Sequence, residues 1–265
     1  MNLIEAIILG MAQGITEWIP ISSEGVTTLL GLNFFDGITL TELIRLSLYL
    51  HLGTFLAAIV YFRKDVMELA KQLIKYPKTS VGARAALNFY ILATLISGAL
   101  GIAILKLVEI AEGRFDFSSR AMVIALGALL LITGIVQLSK KIEGKRNVEQ
   151  ANLTDSILTG LAQGLAVLPG FSRSGMTVAT LLLRGFDDTQ SLRTSFILSL
   201  PVVLVGNILL NAVNFALTAE LLVALVISFL MGLASVHFLL KFAERIRFGW
   251  FVIFFGTLVL VSTFI

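Results

Sequence analysis

QGITEWIPISSEG occupies residues 13–25, and how it is read decides the fold. The segment carries Gln13, Glu17, Ser22, Ser23 and Glu24 and is broken by Pro20 and Gly25. Yet it sits in a chain of 265 residues that is 57% hydrophobic and only 14% charged. A soluble domain carries roughly 25% charged residues, and the mean hydropathy here is +0.94. The composition is that of a polytopic integral membrane protein, so a polar segment at membrane depth needs a physical reason. The formal charge of +3 is too small to suggest nucleic acid as a partner. The absence of cysteine excludes disulfides, thiolate metal sites and thiol nucleophiles. The start, MNLIEAII, has neither a basic leader nor a small-residue cleavage site, and no signal peptide is expected.

Working outward, six apolar stretches are long enough to span a bilayer. They run at about Leu43–Phe62, Leu87–Leu105, Arg120–Leu138, Ser195–Phe215, Leu221–Leu240 and Gly249–Ile265. Two further apolar regions, residues 2–32 and 155–183, begin as helix, break at Pro or Gly among polar residues, and resume as helix. Non-helical backbone at membrane depth survives only when buried in protein or lining a wet cavity. Both regions are therefore expected to be re-entrant helix–loop–helix hairpins, giving an all-α membrane fold of six transmembrane helices plus two hairpins. The basic residues bear on orientation. Fifteen of the twenty Lys and Arg fall in the loops after the first, third and fifth spans and at the exit of the second hairpin. By the positive-inside rule those loops are cytoplasmic and both termini lie outside.

The two hairpins resemble each other. LGMAQGITEWIPISSEG (residues 9–25) aligns with TGLAQGLAVLPGFSRSG (residues 159–175), each with Ala-Gln-Gly, a Pro, and a serine cluster ending in Gly. Three spans separate them, and an odd number of crossings inverts the second copy. The expectation is one membrane domain over residues 1–265, built as an inverted repeat of about 1–150 and 151–265, a known transporter arrangement.

The loops differ in charge. In LPGFSRSGMT (residues 168–177) a helix ends at Pro169 and Gly170 and a new one starts near Gly175. A helix N-terminus is a ready anion site. Arg173 adds a planar fork for phosphate oxygens, Ser172, Ser174 and Thr177 add hydroxyls, and Gly170 and Gly175 allow close backbone approach. The pattern points to phosphate or diphosphate. In the first loop, Gln13 and Glu17 share one helix face. A buried Glu must be paired or metal-bound. Two readings stay open for Glu17: ligand to a hard divalent cation shared with phosphate oxygens, or partner of Arg173 in an ion pair holding the repeats together. Ser22 and Ser23, two hydroxyls beside a carboxylate, are candidate nucleophiles. Of the two histidines, His51 is either a proton carrier or a helix-packing residue, and His237 is expected to be structural.

QGITEWIPISSEG and LPGFSRSGMT resemble the two signature loops of the undecaprenyl-diphosphatase family, also called the bacitracin-resistance proteins. HLGTFLAAIVYF (residues 51–62) and SFILSLPVVLVG (residues 195–206) are similar to further segments of that family, so the resemblance covers essentially the whole chain. It implies six spans with two re-entrant hairpins in a plasma-membrane enzyme. Such an enzyme removes the terminal phosphate of polyprenyl diphosphate, uses a divalent cation (Mg²⁺ or Ca²⁺), and has its active site toward the outer side. Carried over by motif, Gln13 and Glu17 fall on the metal and catalytic pattern, Ser23 on the nucleophile, and Ser172, Arg173 and Thr177 on the diphosphate loop. This chain departs from the pattern in having Glu24 and Val26 where the family reads Thr and His, and no Tyr-Arg pair near Phe254–Phe255. Glu24 and His51 are the candidates for the proton transfer that the missing His would perform. A flippase for the polyprenyl phosphate carrier is the alternative function. Small residues spaced along several spans would permit a homodimer.

Overall fold

A computed structural model of the chain describes residues 1–34, 40–111, 144–167, 171–211, 218–243 and 248–261, together with scattered positions between 124 and 138. The described residues are helical apart from short connections and one isolated parallel bridge, Arg146 to Phe186. In chain order the helices are α1 (Leu3–Thr16), α2 (Ser23–Phe34), α3 (Leu40–Tyr61), α4 (Arg63–Ile74), α5 (Val81–Ala111), α6 (Leu153–Leu165), α7 (Arg173–Leu183), α8 (Asp188–Asn211), α9 (Ala219–Ala243) and α10 (Phe248–Val261). Gly170, Pro169, Arg114, Arg120, Lys140, Lys141, Arg245, Arg247 and most of the expected third span lie outside the described residues.

Three helical segments are long and apolar enough to cross a membrane: Val81–Ile104, Asp188–Ile208 and Ala219–Phe242. A fourth is reached if Leu46–Tyr61 and Arg63–Ile74, bent by 78° at Phe62, count as one span. The bend falls where Arg63, Lys64 and Asp65 end the apolar run. The basic segment beyond it, expected to be a loop, is the helix α4. It has no buried residue and is tied to α8 by the Arg193–Asp65 ion pair at 2.6 Å.

Both regions expected to break do so. α1 ends at Thr16 and α2 starts at Ser23, while α6 ends at Leu165 and α7 starts at Arg173. The two halves of each region pack on one another. The same local chemistry recurs 150 residues apart. Asn2 caps α1 in a reciprocal box with Glu5, and Asn152 caps α6 in one with Asp155, each satisfying two orphan N–H groups of the first turn. Asp155 also binds Arg146 and Arg184, which fastens the chain before α6 to the end of α7.

Glycines set the closest helix contacts. α1 packs on α9, where a Cβ on Gly10 would lie 2.5 Å from the Ala224 carbonyl oxygen and one on Gly14 2.7 Å from Met231 Cβ. At the same offset, α6 packs on α5, with Gly160 against Ala93 and Ile96 and Gly164 against Leu100. Gly53 of α3 meets Leu225 and Ser228 of α9, which joins α1, α3 and α9 into one unit. Trp18, just past α1, closes this unit by donating from its indole N–H to the Gly232 carbonyl at 2.9 Å and stacking on Phe196 at 4.9 Å. At Gly10, Gly14, Gly53, Gly160 and Gly164 the small residue thus serves a contact within the chain.

Overpacking a close interface costs about 1–3 kcal/mol, whereas Gly to Ala in an open helix position gains about 0.5–1 kcal/mol. A Cβ at Gly98 meets nothing within 4 Å. Thermal unfolding in detergent is therefore expected to fall clearly for Gly14→Ala and to hold or rise for Gly98→Ala. Equal behaviour of the two would argue against the α1–α9 contact.

Candidate active site

The break after α1 leaves Glu17 at its C-cap, with its N–H on the Gln13 carbonyl oxygen at 3.1 Å. Its carboxylate is 2% exposed, and four donors from four elements converge on it. Gln13 Nε2 of α1 and Ser23 Oγ of α2 each donate to Oε2 at 2.8 Å. His51 Nε2 of α3 lies 3.2 Å from the same oxygen. Arg173 of α7 donates from Nη2 to Oε1. The two loops so distant in sequence are thereby brought to one carboxylate, and of the two readings of Glu17 the ion pair with Arg173 is present.

Helix N-termini shape the rest. Ser22 Oγ accepts from the Gly25 N–H and Ser172 Oγ from the Gly175 N–H, both at 3.1 Å. Each serine hydroxyl therefore caps a helix, α2 or α7, in the manner that orders a first turn. The cap puts Ser23 and Arg173 at corresponding first positions of the two helices, aimed at the same carboxylate. Ser174 Oγ donates to the Ile19 carbonyl at 3.0 Å and meets Ser172 Oγ at 3.1 Å, clasping the second loop to the first. Gly175 lies against Pro20, with 3.3 Å between an added Cβ and the proline ring. Thr177 is fully buried, with its hydroxyl on the Arg173 carbonyl and on Ser195 Oγ of α8. It holds the start of α7 rather than opening onto the loop. Glu24 is half-buried one residue beyond Ser23.

His51 is anchored on its other side, with Nδ1 2.7 Å from the Ser47 carbonyl oxygen. The imidazole thus bridges the Ser47 carbonyl of its own helix and the Glu17 carboxylate. His237, by contrast, lies far along α9 against Tyr61.

Ser47, Thr27 and Ser195 belong to this frame and had no signal in sequence reading. Thr27 Oγ1 reaches Ser47 Oγ at 3.0 Å, and Thr177 pairs with Ser195 in the corresponding place. The one available sign was that Thr27 and Thr177 stand 150 residues apart, like the capping serines.

A divalent cation can be tested against the donors present. Among the described residues no cluster of three or more His, Asp or Glu exists. Gln13 Oε1, however, is buried without a hydrogen-bond partner beside the Glu17 carboxylate. A neutral oxygen next to a carboxylate suits a hard cation whose remaining ligands are water or phosphate oxygens. The residues fit a cation brought in with, or completed by, a phosphorylated ligand.

A buried carboxylate flanked by a hydroxyl, an imidazole and a guanidinium, in a chain whose described residues are helical and include spans long and apolar enough to cross a membrane, defines a class of multi-pass membrane protein with a buried polar centre. The comparisons with known proteins make this specific. The family model described as bacitracin resistance protein BacA matches residues 6–261. The chain is 37% identical to an undecaprenyl-diphosphatase of Methanococcoides burtonii over the whole of both chains. It is 36% identical to one of Methanothrix thermoacetophila, covering 99% of this chain and 98% of the relative. It is 34% identical to one of Haloarcula marismortui, covering 98% and 97%. The chain belongs to the bacitracin resistance protein BacA family.

Removing one member of a buried ion pair costs about 3–5 kcal/mol, because the other charge is left uncompensated. Arg173→Ala is thus expected to lower the unfolding midpoint in detergent more than the double variant Glu17→Gln/Arg173→Gln. The reverse order would mean that Glu17 does not rely on Arg173.

Proposed function

We propose that this chain is a membrane-embedded phosphatase that hydrolyses a polyprenyl diphosphate of the undecaprenyl type to the monophosphate and inorganic phosphate. The relatives' shared name supports the substrate class. The observation that carries the chemistry is the convergence of the Ser23 hydroxyl and the Arg173 guanidinium on one buried carboxylate, Glu17. Ser23 Oγ is already hydrogen-bonded to a base that can take its proton, the arrangement of an activated nucleophile. As Oγ forms its bond to the terminal phosphorus, the bridging P–O bond breaks and the polyprenyl monophosphate leaves with the electron pair. The Ser23 proton passes to Glu17, and His51 is in reach to accept it or to lend one. Water then cleaves the phosphoserine and releases phosphate.

Arg173 leaves Glu17 for the diphosphate oxygens when substrate arrives, exchanging one charge-assisted contact for a bidentate one. The N-termini of α2 and α7, ordered by Ser22 and Ser172, add partial positive charge where negative charge gathers. A bound Mg²⁺ or Ca²⁺, held by Gln13 Oε1 and Glu17, would neutralise the diphosphate and polarise the phosphorus. In this reading the two broken regions are re-entrant hairpins of an inverted repeat among six spans. The basic loops are cytoplasmic, and the centre faces the outer side of the plasma membrane.

The test is phosphate release from a polyprenyl diphosphate by purified protein, with Mg²⁺, with Ca²⁺ and with EDTA. Release is expected to need metal, to vanish in Ser23→Ala, and to drop about 10²–10⁴-fold in His51→Gln if the imidazole moves a proton. Full activity in Ser23→Ala would overturn the nucleophile, and full activity in EDTA the cation.

A further inference from the structure

A second polar and apolar pairing lies away from Glu17. α3 and α9 pack through Gly53, Ser228 and Gly232, and where they diverge a groove of about 600 Å³ opens to the outside. Its walls are apolar, with Val60 of α3 and Leu230 and Leu233 of α9, and its rim is polar, with Tyr61, Arg63 and His237. Tyr61 Oη and His237 Nδ1 are 3.2 Å apart, and Arg63 Nη1 donates to the Val60 carbonyl at 3.4 Å. Ten residues of α3 separate Tyr61 from His51, about 15 Å at the helical rise, so this groove is distinct from the Glu17 centre.

We propose that the groove binds an anionic phospholipid of the surrounding bilayer, with its phosphate at Arg63 and His237 and an acyl chain along α9. Charge and position both select that occupant. The rim lies at the 78° turn where the apolar run of α3 gives way to Arg63 and Lys64, the level at which headgroups sit. A guanidinium fork there matches phosphate oxygens, and basic side chains at the membrane surface favour anionic lipid. Below the rim, Leu222, Val226 and Leu230 of α9 are each about half exposed and spaced four apart, which makes one continuous apolar track. Leu56 and Val60 of α3 are also exposed, so the chain of a lipid would lie between two apolar ridges.

The experiment is native mass spectrometry of the full chain released from micelles doped with phosphatidylglycerol, or with phosphatidylcholine as the neutral-headgroup comparison. The intact protein is expected to retain phosphatidylglycerol about fivefold over phosphatidylcholine. Arg63→Gln/His237→Gln should bring that ratio to about one. Lys71→Gln, which removes the same kind of charge from α4 outside the groove, should leave it unchanged. Leu230→Trp fills the groove with the charges intact and should lower retention of both lipids, so the proposal stays testable if the double variant fails to fold. Phosphate release by each variant reports an intact fold. Unchanged selectivity in Arg63→Gln/His237→Gln, an equal loss in Lys71→Gln, or displacement of the lipid by inorganic phosphate alone would overturn the proposal.

Discussion

A carboxylate buried in an apolar chain is the constraint on which the rest depends. Ionised and alone, Glu17 would destabilise the fold by several kcal/mol. It is held by donors from α1, α2, α3 and α7, so one charge fixes the relative positions of four helices. Those donors are also the groups that phosphate chemistry needs: a hydroxyl, an imidazole and a guanidinium. The interaction that makes the resting protein stable and the one that would recognise an anionic ligand share a partner in Arg173.

The two broken regions keep their scaffolding positions and differ at their chemical ones. At an offset of 150 residues, Asn2 and Asn152 cap their helices, Ser22 and Ser172 cap the next, and Thr27 and Thr177 reach a serine on the following helix. At the same offset Ser23 stands against Arg173, Glu24 against Ser174 and Glu17 against Val167. A symmetric pair of loops could supply only duplicated groups. Divergence at two of these positions places a carboxylate, a hydroxyl and a guanidinium on one repeated frame.

Much of this was legible in the chain itself. Pro20 and the Pro169–Gly170 pair marked the breaks because both residue types disfavour a helix interior, and an ion pair with Arg173 was one of the two readings open for the buried Glu17. The roles of hydroxyls were less legible. Ser22 read as a candidate nucleophile and Ser172 as a hydroxyl for phosphate, and the capping of a helix by each was not read from the sequence. Thr177, like Ser172, read as a hydroxyl for phosphate, yet turns to Ser195, a contact that depends on how α7 and α8 pack. His51 could be named only as one of two proton carriers, because its reach to Glu17 is set by the placement of α3 against α1. The segment after Phe62 read as a charged loop but forms α4, where apolar residues interleaved with lysines suit a helix lying at an interface.

The close packing of α1 on α9 also governs how the protein is made. The partner of α1 lies some two hundred residues downstream of it. At the usual rate of synthesis that separation is about 10–40 s. For that interval Glu17 has at most Gln13, Ser23 and His51 as partners and Trp18 lacks its acceptor, because Arg173 and Gly232 have not been made. The polar centre therefore closes only late in translation, and a ribosome stall before residue 173 would leave the buried carboxylate without its guanidinium.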